Sequence, residues 1–328
     1  MTVQTGLDRV GLEKNFTLMV LEVVKQLQRT QRHLASPNDK LVEQIKNRDD
    51  YIDHLKSIIQ NTCFSYFTHE GAVDKPMVNL LRSADVIAAN LERIGDHAVN
   101  IVSQTTHFTD ATFFQRYPYI DFFEVIIKAL DDVQPAFAQT DPVRAVRICE
   151  AEVELDRLYQ TKIDRILAEL GTGDDAPNLI TSLFIFHYLE RIGDALLNIG
   201  EAVLFARMGE RLKFHQYNSL KDTVSDMKEN GSLESVDFEG IWGTRSGCRI
   251  GKISDIEEDS DSQRAVYKEG EIKKIREEKE KLVKWNKLFP GLPPKIVSYQ
   301  ESDRNRTATL LIEFLEGRNL QDIVVNPK

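Results

Sequence analysis

The 328-residue chain has only three cysteines, Cys63, Cys149 and Cys248, far apart and odd in number. They give neither a disulfide framework nor the paired Cys-x-x-Cys spacing of a structural zinc site, which fits a reducing, cytoplasmic setting. Long apolar runs are also missing. The stretch from Phe16 to Val24 already contains Glu22 and is too short to cross a bilayer. No signal-peptide cleavage pattern follows it. Nor is there an excess of positive charge: 42 basic against 52 acidic residues leave a net charge of −10. Residues 231–328 contribute only −1, from 17 basic and 18 acidic residues, so residues 1–230 carry −9. An acidic first two-thirds excludes tracking of a nucleic-acid backbone as the main task and points to cations or basic partners. With 41% hydrophobic residues, there is still enough apolar material to bury two or three ordinary cores.

What is present is helical periodicity. Leu18, Leu21, Val24, Leu27 and Leu34 recur at three- and four-residue steps, as do Ile52, Leu55, Ile58 and Ile59. Turn residues interrupt the pattern at Ser36-Pro37-Asn38-Asp39, His69-Glu70-Gly71, Asp141-Pro142 and Gly171-Thr172-Gly173. Asp141-Pro142 reads as an N-cap followed by proline in the first turn. Residues 1–206 are therefore expected to form about six helices of two to seven turns in an up-and-down bundle.

A repeat organises this region. Leu91-Glu92-Arg93-Ile94-Gly95-Asp96 recurs unchanged as Leu189-Glu190-Arg191-Ile192-Gly193-Asp194, and Asn100-Ile101 recurs as Asn198-Ile199 at the same offset of 98. Upstream, Asp53-His54-Leu55 is echoed by Asp156-Arg157-Leu158. Residues four apart share a helix face, so Glu92, Asp96 and Asn100 form one oxygen-rich row and Glu190, Asp194 and Asn198 a second. Like charges four apart weaken a helix by roughly 0.2–0.5 kcal/mol. A glycine within a helix costs about 1 kcal/mol relative to alanine. One such row reads as a solvated acidic face; a costly arrangement made twice suggests a cation site. Gly95 and Gly193 would permit close approach of a neighbouring helix or an ion. Asp49, Asp53, Glu152 and Asp156, on the preceding helix of each repeat, are the candidate additional donors. Oxygen donors without cysteine suit Mg²⁺, Mn²⁺, Ca²⁺ or iron rather than structural zinc, although this pattern does not distinguish the metals. His187, three residues before Glu190, is either a further ligand or a boundary histidine. No Glu-x-x-His pair of a ferritin-like di-iron site is present.

These twin motifs resemble those of PhoU-type phosphate-uptake regulators over roughly residues 10–206, with repeats at about 10–108 and 118–206. The resemblance implies two three-helix bundles that bind divalent or ferric ions through the acidic rows. It also implies two partners, the phosphate ABC transporter and the sensor histidine kinase of the phosphate regulon. Asp85 and His97 correspond to Leu183 and Ala195 in the second repeat, so the two sites need not be equivalent. Paired bundles commonly dimerise, and a homodimer is expected.

Residues 207–235 read as a polar linker. Residues 236–328 change character: 8 of the 17 glycines fall in 231–328. Short β-like runs are expected at Cys248–Ile253, Gln263–Lys268, Ile296–Gln300 and Thr307–Phe314, with a helix at Glu271–Leu288, an α+β pattern of mainly antiparallel strands. The glycine-punctuated hairpin around Gly243 and Gly247, the strand lysine Lys268 and the helix residue Glu278 follow one another as in a kinase nucleotide site. This segment resembles the N-terminal lobe of aminoglycoside-phosphotransferase or choline-kinase-like enzymes, with Glu313 to Leu315 at the hinge, and that resemblance implies ATP as a possible ligand. No His-Gly-Asp or His-Arg-Asp catalytic loop follows before Lys328. The expected function is therefore binding and regulation. The alternatives are the regulatory part and N-lobe of a small-molecule phosphotransferase, and a helical scaffold without metal.

Overall fold

In the computed structural model, residues 2–68, 74–173, 175–227, 236–241, 248–255, 264–302 and 306–317 are described. The chain divides into two compact units, Met1–Phe214 and His215–Lys328.

The first unit is helical throughout: α1 (Thr2–Ala35), α2 (Asp39–Thr68), α3 (Lys75–Gln104), the short α4 (Phe113–Arg116), α5 (Ile120–Gln139), α6 (Pro142–Leu170) and α7 (Ala176–Met208). The stops and starts follow local chemistry. The Asp74 carboxylate accepts from the Met77 amide at 2.9 Å and starts α3. Asp141 likewise accepts from the Val143 and Arg144 amides, with Pro142 in the first turn of α6, where its missing N–H has no consequence. Gly209, at φ 71°, ends α7 in the left-handed conformation. Helices α1, α2, α3, α6 and α7 exceed the expected two to seven turns, α1 running for 34 residues. From Leu12 to Leu34, apolar residues such as Phe16, Val23 and Leu27 hold one buried face without a proline to interrupt it.

Helices α1–α3 and α5–α7 make two three-helix bundles, joined through α3 against α7 and α1 against α5. The Ser83 hydroxyl donates to the Ala202 carbonyl at 2.7 Å across the α3–α7 contact. The two motif-bearing helices therefore lie at the centre of the unit. Among the described residues, no helix is long and apolar enough to cross a membrane.

The second unit holds α8 (Phe214–Met227) over nearly all its length, then β1 (Val236–Ile241), β2 (Arg249–Asp255), β3 (Arg264–Glu271), α9 (Ile272–Leu288), β4 (Ile296–Ser302) and β5 (Thr307–Glu313). Helix α8 occupies much of the stretch expected to be a linker. Its buried Tyr217, Leu220 and Val224 repeat at helical spacing within an otherwise polar segment. The strands form one antiparallel sheet in the order β1-β2-β3-β5-β4. Ile275 of α9 packs on Ala308 and Leu310 of β5, sealing one sheet face. All three cysteines are free thiols, and Cys63 and Cys149 are buried.

Candidate functional site

Each acidic row lies opposite carboxylates of the preceding helix. In the first repeat, Asp49 and Asp53 of α2 face the row on α3 closely enough to act on Asp96. Desolvation of the Asp96 carboxyl, then the charges of Glu92 and Asp49, push it up to about 6. Asp49 is raised for the same reasons, burial first, despite a hydrogen bond from Gln26. The Gln26 side-chain amide donates to Asp49 at 3.3 Å and to the Gly95 carbonyl at 3.1 Å, tying α1, α2 and α3 together. A cation is already built in: Lys56 Nζ lies 2.7 Å from Asp53 and 2.8 Å from Glu92. Asn100 is half-buried on α3.

In the second repeat, Glu152 and Asp156 of α6 face the row on α7. Burial raises Glu190, and Asp194, Asp156 and Glu152 add to the effect. Arg191 holds Asp194 at 2.7 Å and approaches Glu190 at 3.4 Å. His187 Nδ1 is 3.6 Å from Glu190, but burial and Arg191 lower its pKa and favour the neutral ring. Asn198 turns away to donate to Asn90 on α3 at 3.3 Å. Steps of four residues overshoot a helical turn by roughly 40°, so the third member of a row is rotated about 80° from the first. The repeats also differ as Asp85 and His97 suggest: Asp85 accepts from Gln60 at 2.8 Å, and half-buried His97 packs 5.8 Å from the Tyr188 ring.

The motif glycines are less crowded than expected. A Cβ on Gly95 would meet Ile52 at 3.4 Å and Asp49 at 3.5 Å, ordinary contact, and one on Gly193 would meet Leu155 at 3.2 Å. The tight approach is at Gly200, where a Cβ would lie 2.3 Å from Cys149 Sγ and 2.7 Å from the Ala145 carbonyl. Lys56, Gln26 and Gly200 have no mark in the repeated motif and were not legible as members of these contacts. Among the described residues, no three of His, Cys, Asp and Glu are arranged to hold a metal ion. The oxygen donors suit a hard cation in kind, while Lys56 and Arg191 engage several of them as ion pairs.

In the second unit, Lys268 Nζ lies 2.7 Å from both carboxylate oxygens of Glu278. Gly243 and Gly247 lie outside the described residues, although the flanking hairpin pairs Ile241 with Ile250.

The first unit is thus a duplicated three-helix protein with an acidic motif on the third helix of each copy. A family model described as PhoU domain matches residues 16–105 and 120–203, one stretch in each bundle, and the chain belongs to that family. The phosphate-specific transport system accessory protein PhoU homolog of Zymomonas mobilis is 30% identical over 187 residues, covering 55% of this chain and 76% of that protein. The homolog of Clostridium acetobutylicum is 24% identical over 191 residues, covering 57% and 87%. The crystal structure of PhoU from Pseudomonas aeruginosa superposes with a TM-score of 0.56 at 20% identity, over 62% of this chain and 99% of that one. The phosphate transport system regulatory protein PhoU from Streptococcus pneumoniae gives 0.55 at 23%, over 63% and 98%. These two structures share the fold of the first unit.

Proposed function

We propose that this chain regulates phosphate uptake by binding rather than by catalysis, acting in the cytoplasm on the phosphate ABC transporter and its sensor histidine kinase. The observation that carries the reading is the duplication itself. Both bundles match the PhoU domain, and relatives across that span are named accessory proteins of phosphate-specific transport. The acidic rows are proposed as cation sites. Asp49, Asp53, Glu92 and Asp96 would hold one ion, and Glu152, Asp156, Glu190 and Asp194 the other. A bound cation would supply the positive charge that quiets carboxylate repulsion and would tie α2 to α3 or α6 to α7. Lys56 already performs this task in the first repeat, whereas Tyr159 stands at the corresponding place in the second. Arg191 pairs with Glu190 and Asp194 from within α7 rather than across the helices, which makes the second row the stronger candidate. Elemental analysis of the full chain tests this: Glu190→Ala with Asp194→Ala should remove more bound metal than Glu92→Ala with Asp96→Ala. Unchanged metal content in the fourfold variant would refute the site assignment.

A second reading concerns the other unit. The two-oxygen grip of Lys268 on Glu278, from strand to helix, supports a nucleotide-binding lobe of kinase-like type. Calorimetry with ATP on wild type and Lys268→Ala tests it. Equal binding, or none in either, removes Lys268 from any nucleotide site.

A further inference from the structure

A cavity of about 400 Å³ runs along the α3–α7 contact, within the first unit. Arg82 and Arg93 of α3 line it together with Arg211 and Lys213 of the segment after α7. Four cationic side chains thus meet one carboxylate, Glu201, in a chain whose net charge is −10. Glu201 is already occupied: Lys213 approaches it at 3.0 Å and the Phe214 amide donates to it at 3.0 Å. Arg82 lies over the Phe205 ring, 5.0 Å from its centroid. Among the described residues, neither Arg82 nor Arg93 has a carboxylate within ion-pair distance.

The second repeat does not reproduce this pair of arginines. Arg191, the counterpart of Arg93, is taken by Asp194 and Glu190 of its own row. In the first repeat Lys56 holds Glu92, so Arg93 is left to the cavity. Ile180 stands where Arg82 would recur.

Arg82 and Arg93 are eleven residues apart, about 16 Å along the helix and on nearly the same face. Guanidinium groups entering from the two ends of such a groove suit charge spread along a chain better than a single tetrahedral ion. Each can take phosphoryl oxygens in a two-pronged grip. The Asn90–Asn198 amide pair adds a polar floor towards the Arg93 end. We infer that this groove binds a linear oligophosphate, either free or as the phosphate tail of a nucleotide. The occupant would bridge α3 to the segment after α7. This site shares only Asn198 with the acidic rows, does not involve Lys268, and does not depend on either reading.

Isothermal titration of the full chain in metal-free buffer tests it, with sodium tripolyphosphate, ATP and orthophosphate as probes. Tripolyphosphate should bind at least about tenfold more tightly than orthophosphate, and raised salt should weaken it. Arg82→Gln and Arg93→Gln should each weaken it about tenfold or more, while Arg207→Gln, an exposed arginine outside the cavity, should not. Arg82 and Arg93 are exposed, so these variants should keep the wild-type melting curve. ATP binding that falls in Arg93→Gln but not in Lys268→Ala would assign a nucleotide tail. Tripolyphosphate binding with no Arg93-dependent ATP binding would assign the free chain. The proposal is overturned if tripolyphosphate does not bind wild type, if Arg93→Gln binds it equally, or if orthophosphate binds as tightly.

Discussion

Gly200→Ala tests how closely α6 and α7 are packed. The added methyl would sit 2.3 Å from Cys149 Sγ, 2.7 Å from the Ala145 carbonyl oxygen and 3.2 Å from the Cys149 amide nitrogen. A side chain could swing aside, but two of these three atoms are backbone, so the helices must separate. Overpacking of this kind costs roughly 1–3 kcal/mol, and two contacts this short place the cost at the upper end. Alanine returns about 1 kcal/mol of helix propensity. The net loss is then about 2 kcal/mol. In a unit of 214 residues this lowers the melting temperature by roughly 4–8 °C. Thermal unfolding followed by circular dichroism provides the assay, with Gly95→Ala as the control. Its methyl meets neighbours only at 3.4 Å or more, so that variant should melt at or above wild type. Adding Cys149→Ala to Gly200→Ala should recover part of the loss, because the carbonyl contact remains. If Gly200→Ala melts no lower than wild type, or Gly95→Ala costs as much, the packing argument fails.

Two further outcomes depend on pH. Asp96 is raised from its ordinary 3.8 to about 6, so its contribution is fully present below pH 4 and lost as pH rises through 6. At full strength this is about 3 kcal/mol, but the group faces solvent and screening reduces it to about 1 kcal/mol. In metal-free buffer Asp96→Asn should therefore stabilise the chain at pH 7.5 and not at pH 3.5; equal melting shifts at both would contradict this. Glu22 is buried, and burial alone would raise it, but hydrogen bonds from Arg48 at 2.6 Å and Lys25 at 3.2 Å hold it below the usual range. Its contribution is present above about pH 4.5 and lost as pH falls through the lowered value. Glu22→Gln should cost about 1–3 kcal/mol at pH 7 by urea titration and progressively less in acid. A cost independent of pH would remove the charge from the explanation.

The motif helices were legible because periodicity, caps and a six-residue repeat all pointed the same way. Facing carboxylates on α2 and α6 were legible too, since the weaker Asp53 and Asp156 echo preceded each motif. Sequence spacing alone could not reveal what else enters the rows. Lys56 and Gln26 come from other turns and another helix, and their roles depend on which faces meet. Asn198 left its row because a four-residue step is not a whole turn. Helix α8 was obscured because Tyr217, Leu220 and Val224 are diluted by polar neighbours. The tightest helical glycine, Gly200, lies outside the conspicuous Gly95–Gly193 pair, since close approach is a property of two helices rather than of one.

The regulatory account is tested most directly by uptake of radiolabelled orthophosphate in phosphate-replete cells lacking their own PhoU-domain protein. The wild-type chain should restrain uptake, and the folded fourfold variant of Glu92, Asp96, Glu190 and Asp194 to alanine should not. Uptake unchanged by the folded wild-type chain, or restrained equally by the fourfold variant, would contradict it.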